Sequence, residues 1–528
     1  MAELSPRMIL FGPGVTIDAP AAEYGNKAAV LASMANLGVP VPPGFSLNVS
    51  ICEEYYRNDR VLPEDVSVLL SCGTGYVERS TGLSFGSGRN PLLVSVRSGA
   101  PVTMPGVMDT ILNVGLNRET VRGLIYRTGN PRFAWDSYRR FLEQFGRSVF
   151  GHDPRVYQAI VGQYLEREGV DDESALDFHS LREITEQFER IFSRKNGRRF
   201  PENVGEQLIL ATEAVLGSWM SPRAEQYRSM HLVKDARGTA VTIQAMVFGN
   251  LGSGSGAGVA FSRNPWTGEP GLLVDFKFGS QGEDVVSGDK GVATQLEIQE
   301  RLPGEYKALK EIAETLERRF RDMQDIEFTI QEGALFILQS RSGKRAPYAT
   351  LRIAVDLWKE GVVTMEEARM MLEDIDIEHI VLRRVRTSDP PLASGISASS
   401  GVASGKIALT AEQALQFSGE GPVILVRQTA SPDDIQGIGV AEGILTARGA
   451  RTSHAAVVAR QMGKVCIVNC TDLSIDVRRH VCRFGSKVVY EGDTITLDGG
   501  TGAVYSGTVE VTHERPEPLL EIVRSWGL

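Results

Sequence analysis

The chain has few cysteines, no excess of positive charge and no long apolar run. Its 528 residues include five cysteines, Cys52, Cys72, Cys466, Cys470 and Cys482. These form no paired framework, and no second Cys/His pair with zinc spacing accompanies Cys466 and Cys470. Reduced thiols in a cytoplasmic protein are expected. Lys and Arg number 56 against 66 Asp and Glu, a net charge of −10, which argues against a nucleic-acid binder. The opening MAELSPR lacks a basic-then-apolar signal pattern. The longest uncharged run, Gly238–Ser262, contains Gln244, Asn250 and a cluster of glycines. It reads as two strands around a polar loop rather than as a membrane span. Internal repeats and low-complexity tracts are absent. So is a P-loop: GVASGK (Gly401–Lys406) is one residue short before its second glycine and is followed by Ile407.

Glycine, by contrast, is abundant, at 55 residues against an average near 7%. A prior of about 150 residues per domain suggests three or four domains. Helical periodicity starts at Lys27–Leu37, and GVPVPPGFSL then forces an extended exit. LLVSVRSG (Leu92–Gly99) reads as a strand, and a largely helical stretch covers about residues 110–225. In that stretch Phe133, Tyr138, Phe141, Leu142, Phe145 and Val149 recur at core-packing spacing. Strand signals return at Thr239–Val247, Gly258–Ser262 and Leu272–Phe278. An amphipathic helix through Leu309, Ile312, Leu316, Phe320 and Met323 leads into DIEFTI, a turn at Gln331–Gly333 and the partner strand ALFILQSR. Helices are expected to about residue 385, covering a connector at 346–387. A Pro/Gly/Ser-rich hinge follows at 388–401, then a compact α/β domain at 402–510 and a tail at 511–528.

Three groups of residues carry candidate chemistry. GNLGSGSGAG places Gly249, Gly252, Gly254, Gly256 and Gly258 between two strands. Backbone amides there are open to an anion, although a plain hairpin loop fits equally well. Asp325 and Glu327 are two apart on a strand and point the same way, suiting a hard cation such as Mg²⁺; a solvated strand face is the commoner alternative. Gln339 and Arg341 on the adjoining strand add an amide ligand and a phosphate-pairing fork. Of seven histidines, His454 alone follows good N-cap residues, Thr452 and Ser453, at the start of an Ala/Val-rich helix. A phosphoryl group carried there would meet free backbone N–H groups and the positive dipole end, and neutral imidazole is a competent nucleophile. A structural histidine is the even alternative.

GNKAAVLASMANLGVPVPPGF, LLVSVRSG with MPGVMDTILNVGL, YRRFLEQFG, AVTIQAMVFGNLGSGSGAGVAFSRNP, GEDVVSG, DMQDIEFTI with LQSRSGKR, and AEGILTARGARTSHAAVVAR run in order from about residue 20 to 510. In these stretches the chain resembles the pyruvate, phosphate dikinase family, within the wider group that contains phosphoenolpyruvate synthase. The resemblance implies an α/β multidomain protein. Residues 1–345 would form an ATP-grasp nucleotide-binding domain with the helical insertion, and 402–510 a swivelling β/α phosphohistidine domain. It implies ATP as substrate, with Lys27 and Arg97 at the phosphates and Glu283 near the ribose. Asp325, Glu327, Gln339 and Arg341 would serve Mg²⁺ and ATP, Asp325, Glu327 and Gln339 being the metal ligands, and Gly254 and Gly256 would approach the phosphates. His454 would be the phosphocarrier, supported by Thr452 and Arg97. In such dikinases the histidine takes a pyrophosphoryl group from ATP and AMP leaves. Inorganic phosphate then removes the terminal phosphoryl as pyrophosphate, leaving phosphohistidine.

The resemblance departs in two places. The family usually reads SVRSGARxSMPG, whereas Pro101 and Thr103 stand here at the arginine and serine positions, so one phosphate-loop cation is missing. Family dikinases also continue into a pyruvate/phosphoenolpyruvate barrel, and this sequence stops near the point where that barrel would begin. The expectation is a dikinase-type phosphotransferase that passes its phosphoryl group to an acceptor, pyruvate first, on a separate barrel-bearing polypeptide. An ATP-dependent phosphotransferase for another small molecule and a non-catalytic nucleotide-binding regulator are the alternatives.

Overall fold

The computed structural model describes residues 6–101, 108–230, 237–282, 293, 295–430, 434–451 and 453–527. They divide into two units, residues 1–247 with 336–339, and 248–335 with 340–528.

The first unit is built on an antiparallel sheet in the order Met8–Phe11, Gly44–Leu47, Ala240–Ala245, Val94–Gly99, Thr110–Val114. Val94, Val96, Val241 and Ile243 are fully buried in it, as β-branched residues on a pleated, covered surface should be. The helix Ala21–Asn36 is interrupted at Gly25, whose φ is +77°. Regular helix therefore resumes next to Lys27, where the sequence pattern starts it. Six helices lie between Arg118 and Met230, preceded by a strand inside the stretch expected to be helical. Phe133, Tyr138, Phe141, Leu142 and Phe145 are buried as core. Phe200 closes on Phe141 and Phe145 with ring centroids 5.6 and 5.3 Å apart.

A four-stranded sheet runs Ala334–Ser342, Gln324–Gln331, Gly256–Arg263, Pro270–Phe278, and all of it but residues 336–339 belongs to the second unit. Its hairpin turns on Glu332 and Gly333, with φ of +50° and +80°, the left-handed pair that a two-residue turn requires. Ile326, Phe328 and Ile330 are buried on one face, and the helix Pro303–Phe320 packs on the strands Gln324–Gln331 and Gly256–Arg263. Asp325, Glu327 and Thr329 alternate to the other face. The strand Gly256–Arg263 begins two residues earlier than its apolar pattern, and for a packing reason. A Cβ on Gly256 would lie 2.1 Å from the Phe276 ring, and one on Gly258 2.6 Å from the Phe328 ring. These two rings stack 5.7 Å apart, so the two glycines make room for aromatic rings.

A further sheet has eight strands: Ala393–Ser394, Ala503–Ser506, Thr494–Asp498, Val402–Ala408, Val423–Arg427, Gly443–Thr446, Val465–Val468 and Ile396–Ser399. Its central pairs are parallel, and a separate apolar core covers each face. Two boundaries differ from the sequence reading. The expected 388–401 hinge holds two of these strands. The expected 511–528 tail folds back on the connector: Glu510–Glu514 pairs with Leu382–Arg386, and Leu520 and Val523 of the helix Glu517–Ser525 join the core of Leu351 and Ile353. Leu382–Arg386 is a strand and not helix. It is five residues long with three exposed arginines, too short and too polar for periodicity to report it.

Candidate functional site

In the first unit a close backbone approach sets the position of Lys27. Gly25 comes so near Gly99 that a Cβ on it would lie 1.7 Å from the Gly99 oxygen, and Asn26 N donates to Ala100 O at 3.1 Å. The Lys27 Cβ lies 3.8 Å from where a Gly99 Cβ would be. Gly99 and Arg97 share a strand face, so Lys27 packs at the end of the strand Val94–Gly99 on the face that carries Arg97. Only a glycine with left-handed freedom allows that contact. Gln339 also belongs to this unit, on the strand Ala334–Ser342.

The second unit carries the carboxylates. Asp325 pairs across the ladder with Phe261, and Glu327 with Val259, which in turn pairs with Asp275. Directly opposed residues point to the same face, so Asp275, Glu327 and Asp325 share one face of the sheet. Arg341 Nε donates to Asp325 Oδ2 at 2.9 Å, while Asp325 Oδ1 is buried without a hydrogen-bond partner among the described residues. Burial raises the Asp325 carboxyl pKa above its ordinary value, and Arg341 partly offsets this. An unpartnered buried carboxylate oxygen beside a second same-face carboxylate fits a hard cation. Among the described residues no cluster of three or more His, Cys, Asp or Glu is placed to hold a metal. A Mg²⁺ here would therefore take its other ligands from amide, phosphate or water oxygens.

Behind these carboxylates lies a buried polar relay. Gln324 N donates to Ser262 Oγ at 2.9 Å, Ser262 Oγ donates to Glu317 Oε2 at 2.6 Å, and Arg263 Nε donates to Glu317 Oε1 at 2.9 Å. Ser340 Oγ donates to Gln324 Oε1 at 2.8 Å. The relay fixes the start of the strand that presents Asp325. The glycine loop is tied to the hairpin: Gly333 N donates to Gly254 O at 3.2 Å and Glu332 N to Ser255 Oγ at 3.0 Å. Gly254 stays open on its Cα, whereas Gly256 is buried in the strand.

The helix His454–Gln461 begins at His454 with Ser453 as its N-cap by backbone conformation. The Ser453 hydroxyl does not cap the helix. It is turned toward Gly449, 3.3 Å from the Cβ position there, and has no partner among the described residues. The preceding loop is anchored on the carboxylate sheet. Arg451 N donates to Asp275 Oδ2 at 2.9 Å, and the Arg451 guanidinium pairs with the other Asp275 oxygen. Trp266 Nε1 donates to Ala398 O at 2.9 Å, and the Arg451 guanidinium lies 5.8 Å from the Trp266 ring centre. Glu283 and Thr452 lie outside the described residues.

Residues 77–301 and 289–360 match the model of the pyruvate phosphate dikinase AMP/ATP-binding domain, more than half of the chain. The chain belongs to the pyruvate phosphate dikinase family. Residues 419–502 match the mobile domain of PEP-utilising enzymes. The chain is 41% identical over 509 residues to pyruvate, phosphate dikinase of Clostridium symbiosum, covering 95% of this chain and 58% of that protein. It is 42% identical over 510 residues to the chloroplastic dikinase 1 of Arabidopsis thaliana, covering 95% and 53%. With the dikinase of Rhizobium meliloti it shares 41% over 503 residues, covering 92% and 56%. The chain thus spans about half the length of these relatives. Arg97, Asp325, Glu327, Gln339 and Arg341 fall in the family's nucleotide-binding match, Lys27 lies before it, and His454 falls in the mobile-domain match. Among the described residues no helix is long and apolar enough to cross a membrane.

Sequence reasoning missed Gly25, Asp275, Arg451 and the Ser262–Glu317 relay. One of these left a trace: Asp275 is an acid inside the apolar run LLVDF.

Proposed function

We propose that this chain is the ATP-cleaving, phosphate-carrying part of a dikinase, with an ATP-grasp nucleotide domain and a swivelling carrier domain. Lys27, Arg97 and Arg341 neutralise the ATP phosphates, and Gly254 offers open backbone beside them. Asp325, Glu327 and Gln339 hold Mg²⁺, which when bound polarises the phosphoryl oxygens. Glu283 meets the ribose. An imidazole nitrogen of His454 attacks the β-phosphorus; a nitrogen–phosphorus bond forms as the α,β-bridging oxygen leaves with its electron pair as AMP. Inorganic phosphate then takes the terminal phosphoryl as pyrophosphate, and phospho-His454 passes its group to an acceptor, pyruvate first, bound outside the residues of this chain. Thr452 supports the carrier.

The observation that carries this reading is the seating of the carrier loop. Arg451, three residues before His454, is bonded through its backbone and its guanidinium to Asp275. That carboxylate shares its sheet face with Asp325 and Glu327. ATP labelled at the β-phosphate tests the reading. AMP, not ADP, should appear, and acid-labile label should remain on the wild type with or without inorganic phosphate, but not on His454→Ala. ADP as the nucleotide product, or label persisting in that variant, contradicts it.

A further inference from the structure

Four arginines of the second unit are matched by carboxylates: Arg263 by Glu317 and Glu360, Arg341 by Asp325, Arg345 by Asp322 and Arg451 by Asp275. Arg460 is not. It lies near the end of the helix His454–Gln461 and makes no ion pair among the described residues. Long helical side chains lean toward the helix N-terminus, and Arg460 Nη2 accordingly donates to Arg451 O at 2.7 Å. The guanidinium is thereby brought level with the loop that enters the helix at His454. Its Nε is buried with no acceptor, and its remaining contact is the Trp266 ring, 5.7 Å from the guanidinium carbon. A partly buried guanidinium with one carbonyl bond and no ion pair among the described residues is held at a cost of desolvation.

The loop that Arg460 clasps is bonded to Asp275, on the sheet face shared with Glu327 and Asp325. Arg460 lies near enough to Asp325 for its charge to favour the ionised carboxylate. One buried Asp325 oxygen and one buried Arg460 nitrogen are thus both unsatisfied and of opposite charge, yet they do not pair with each other. A cation-bound phosphate would satisfy both, Asp325 holding the cation and the Arg460 guanidinium pairing with phosphate oxygen.

We infer that Arg460 is a catalytic residue, an arginine that the carrier domain brings to the phosphoryl chain of ATP as it is transferred to His454. This deepens the proposed function and rests on it for the identity of the acceptor nitrogen. As the nitrogen–phosphorus bond forms and the bridging oxygen leaves with AMP, negative charge grows on the bridging and equatorial oxygens. A guanidinium already in place stabilises that charge without itself giving or taking a proton.

Two measurements on the full chain test the inference. In the first, wild-type protein is treated with phenylglyoxal and Arg460 modification is read by peptide mass spectrometry. Magnesium ATP should suppress modification about tenfold while adenosine has no effect; equal modification in both overturns the contact. In the second, single-turnover labelling from β-labelled ATP is followed. Arg460→Met should slow it about 100-fold at saturating ATP, the usual loss for one stabilising donor, a larger loss than in ATP affinity, with Arg460→Lys recovering part of the rate. Wild-type labelling by Arg460→Met overturns the catalytic role. If wild-type His454 takes no label at all, the proposed function fails, and the protection result alone still decides whether Arg460 meets the phosphates.

Discussion

Gly25 and Asp325 show how much of this site rests on single atoms. Gly25→Ala would place a methyl group inside van der Waals distance of the Gly99 oxygen at a positive φ, so the backbone beside Lys27 must move. ATP affinity, measured by calorimetry, should fall at least about tenfold, since one lost charged phosphate contact is worth about 1.5–3 kcal/mol. Gly254→Ala is the contrasting change, because its added Cβ meets only Gly333 N at 3.9 Å. Its thermal stability should match wild type, and any loss of ATP affinity then reports on the phosphates rather than on the fold. Asp325 makes the pH dependence explicit. Burial raises its pKa in the folded state, so folding favours the protonated form and ionisation costs stability as pH rises through the folded value. A cation that replaces this proton binds better as pH rises. Stabilisation by Mg²⁺ in thermal melts should therefore be larger at pH 8 than at pH 5, and should be lost in Asp325→Asn.

At the scale of elements, the strands and helices with strong periodicity were legible beforehand. Gln324–Gln331 alternates apolar and acidic residues, and Pro131–Phe150 repeats aromatics at helical spacing; both formed where expected. Leu382–Arg386 was not legible, because its pairing with Glu510–Glu514 is long-range and shows no pattern within five residues. The early start of Gly256–Arg263 was hidden for a different reason. Glycine reads as loop until the aromatic rings that fill its missing side chain are seen. Gly258→Ala should lower stability by about 1–3 kcal/mol in denaturant titration, as overpacking does. His152 supplies a second test within the helical region. Its ring nitrogens meet Tyr157 Oη at 2.7 Å and Asn196 Nδ2 at 3.0 Å, and burial pushes its pKa below the ordinary value. The neutral ring is thus favoured in the folded state. That stability is present above about pH 6.5 and is lost as pH falls through the lower folded pKa. Denaturant midpoints should drop between pH 7 and pH 5 in wild type, and by less in His152→Gln.

For the whole molecule, sequence pattern pointed to the residue types of the site but not to their connections. Asp325, Glu327 and His454 each stood out through local spacing. Asp275, Arg451 and Arg460 matter through contacts between segments more than 170 residues apart or through the lack of an ion pair, and neither is written in local sequence. The Arg451–Asp275 pair joins carrier loop to carboxylate sheet. Arg451→Ala would leave the buried Asp275 without its cation, so histidine labelling should slow at least about tenfold while ATP affinity holds; an unpaired buried charge costs about 3–5 kcal/mol. In the proposed function His454 carries phosphate taken from ATP. Intact-protein mass spectrometry after incubation with magnesium ATP and inorganic phosphate tests it most directly, with peptide mapping under mildly alkaline conditions. The expected result is a gain of one phosphoryl group per chain, on His454 and released by acid. No gain in mass, or a phosphoryl group on any other residue, would contradict it.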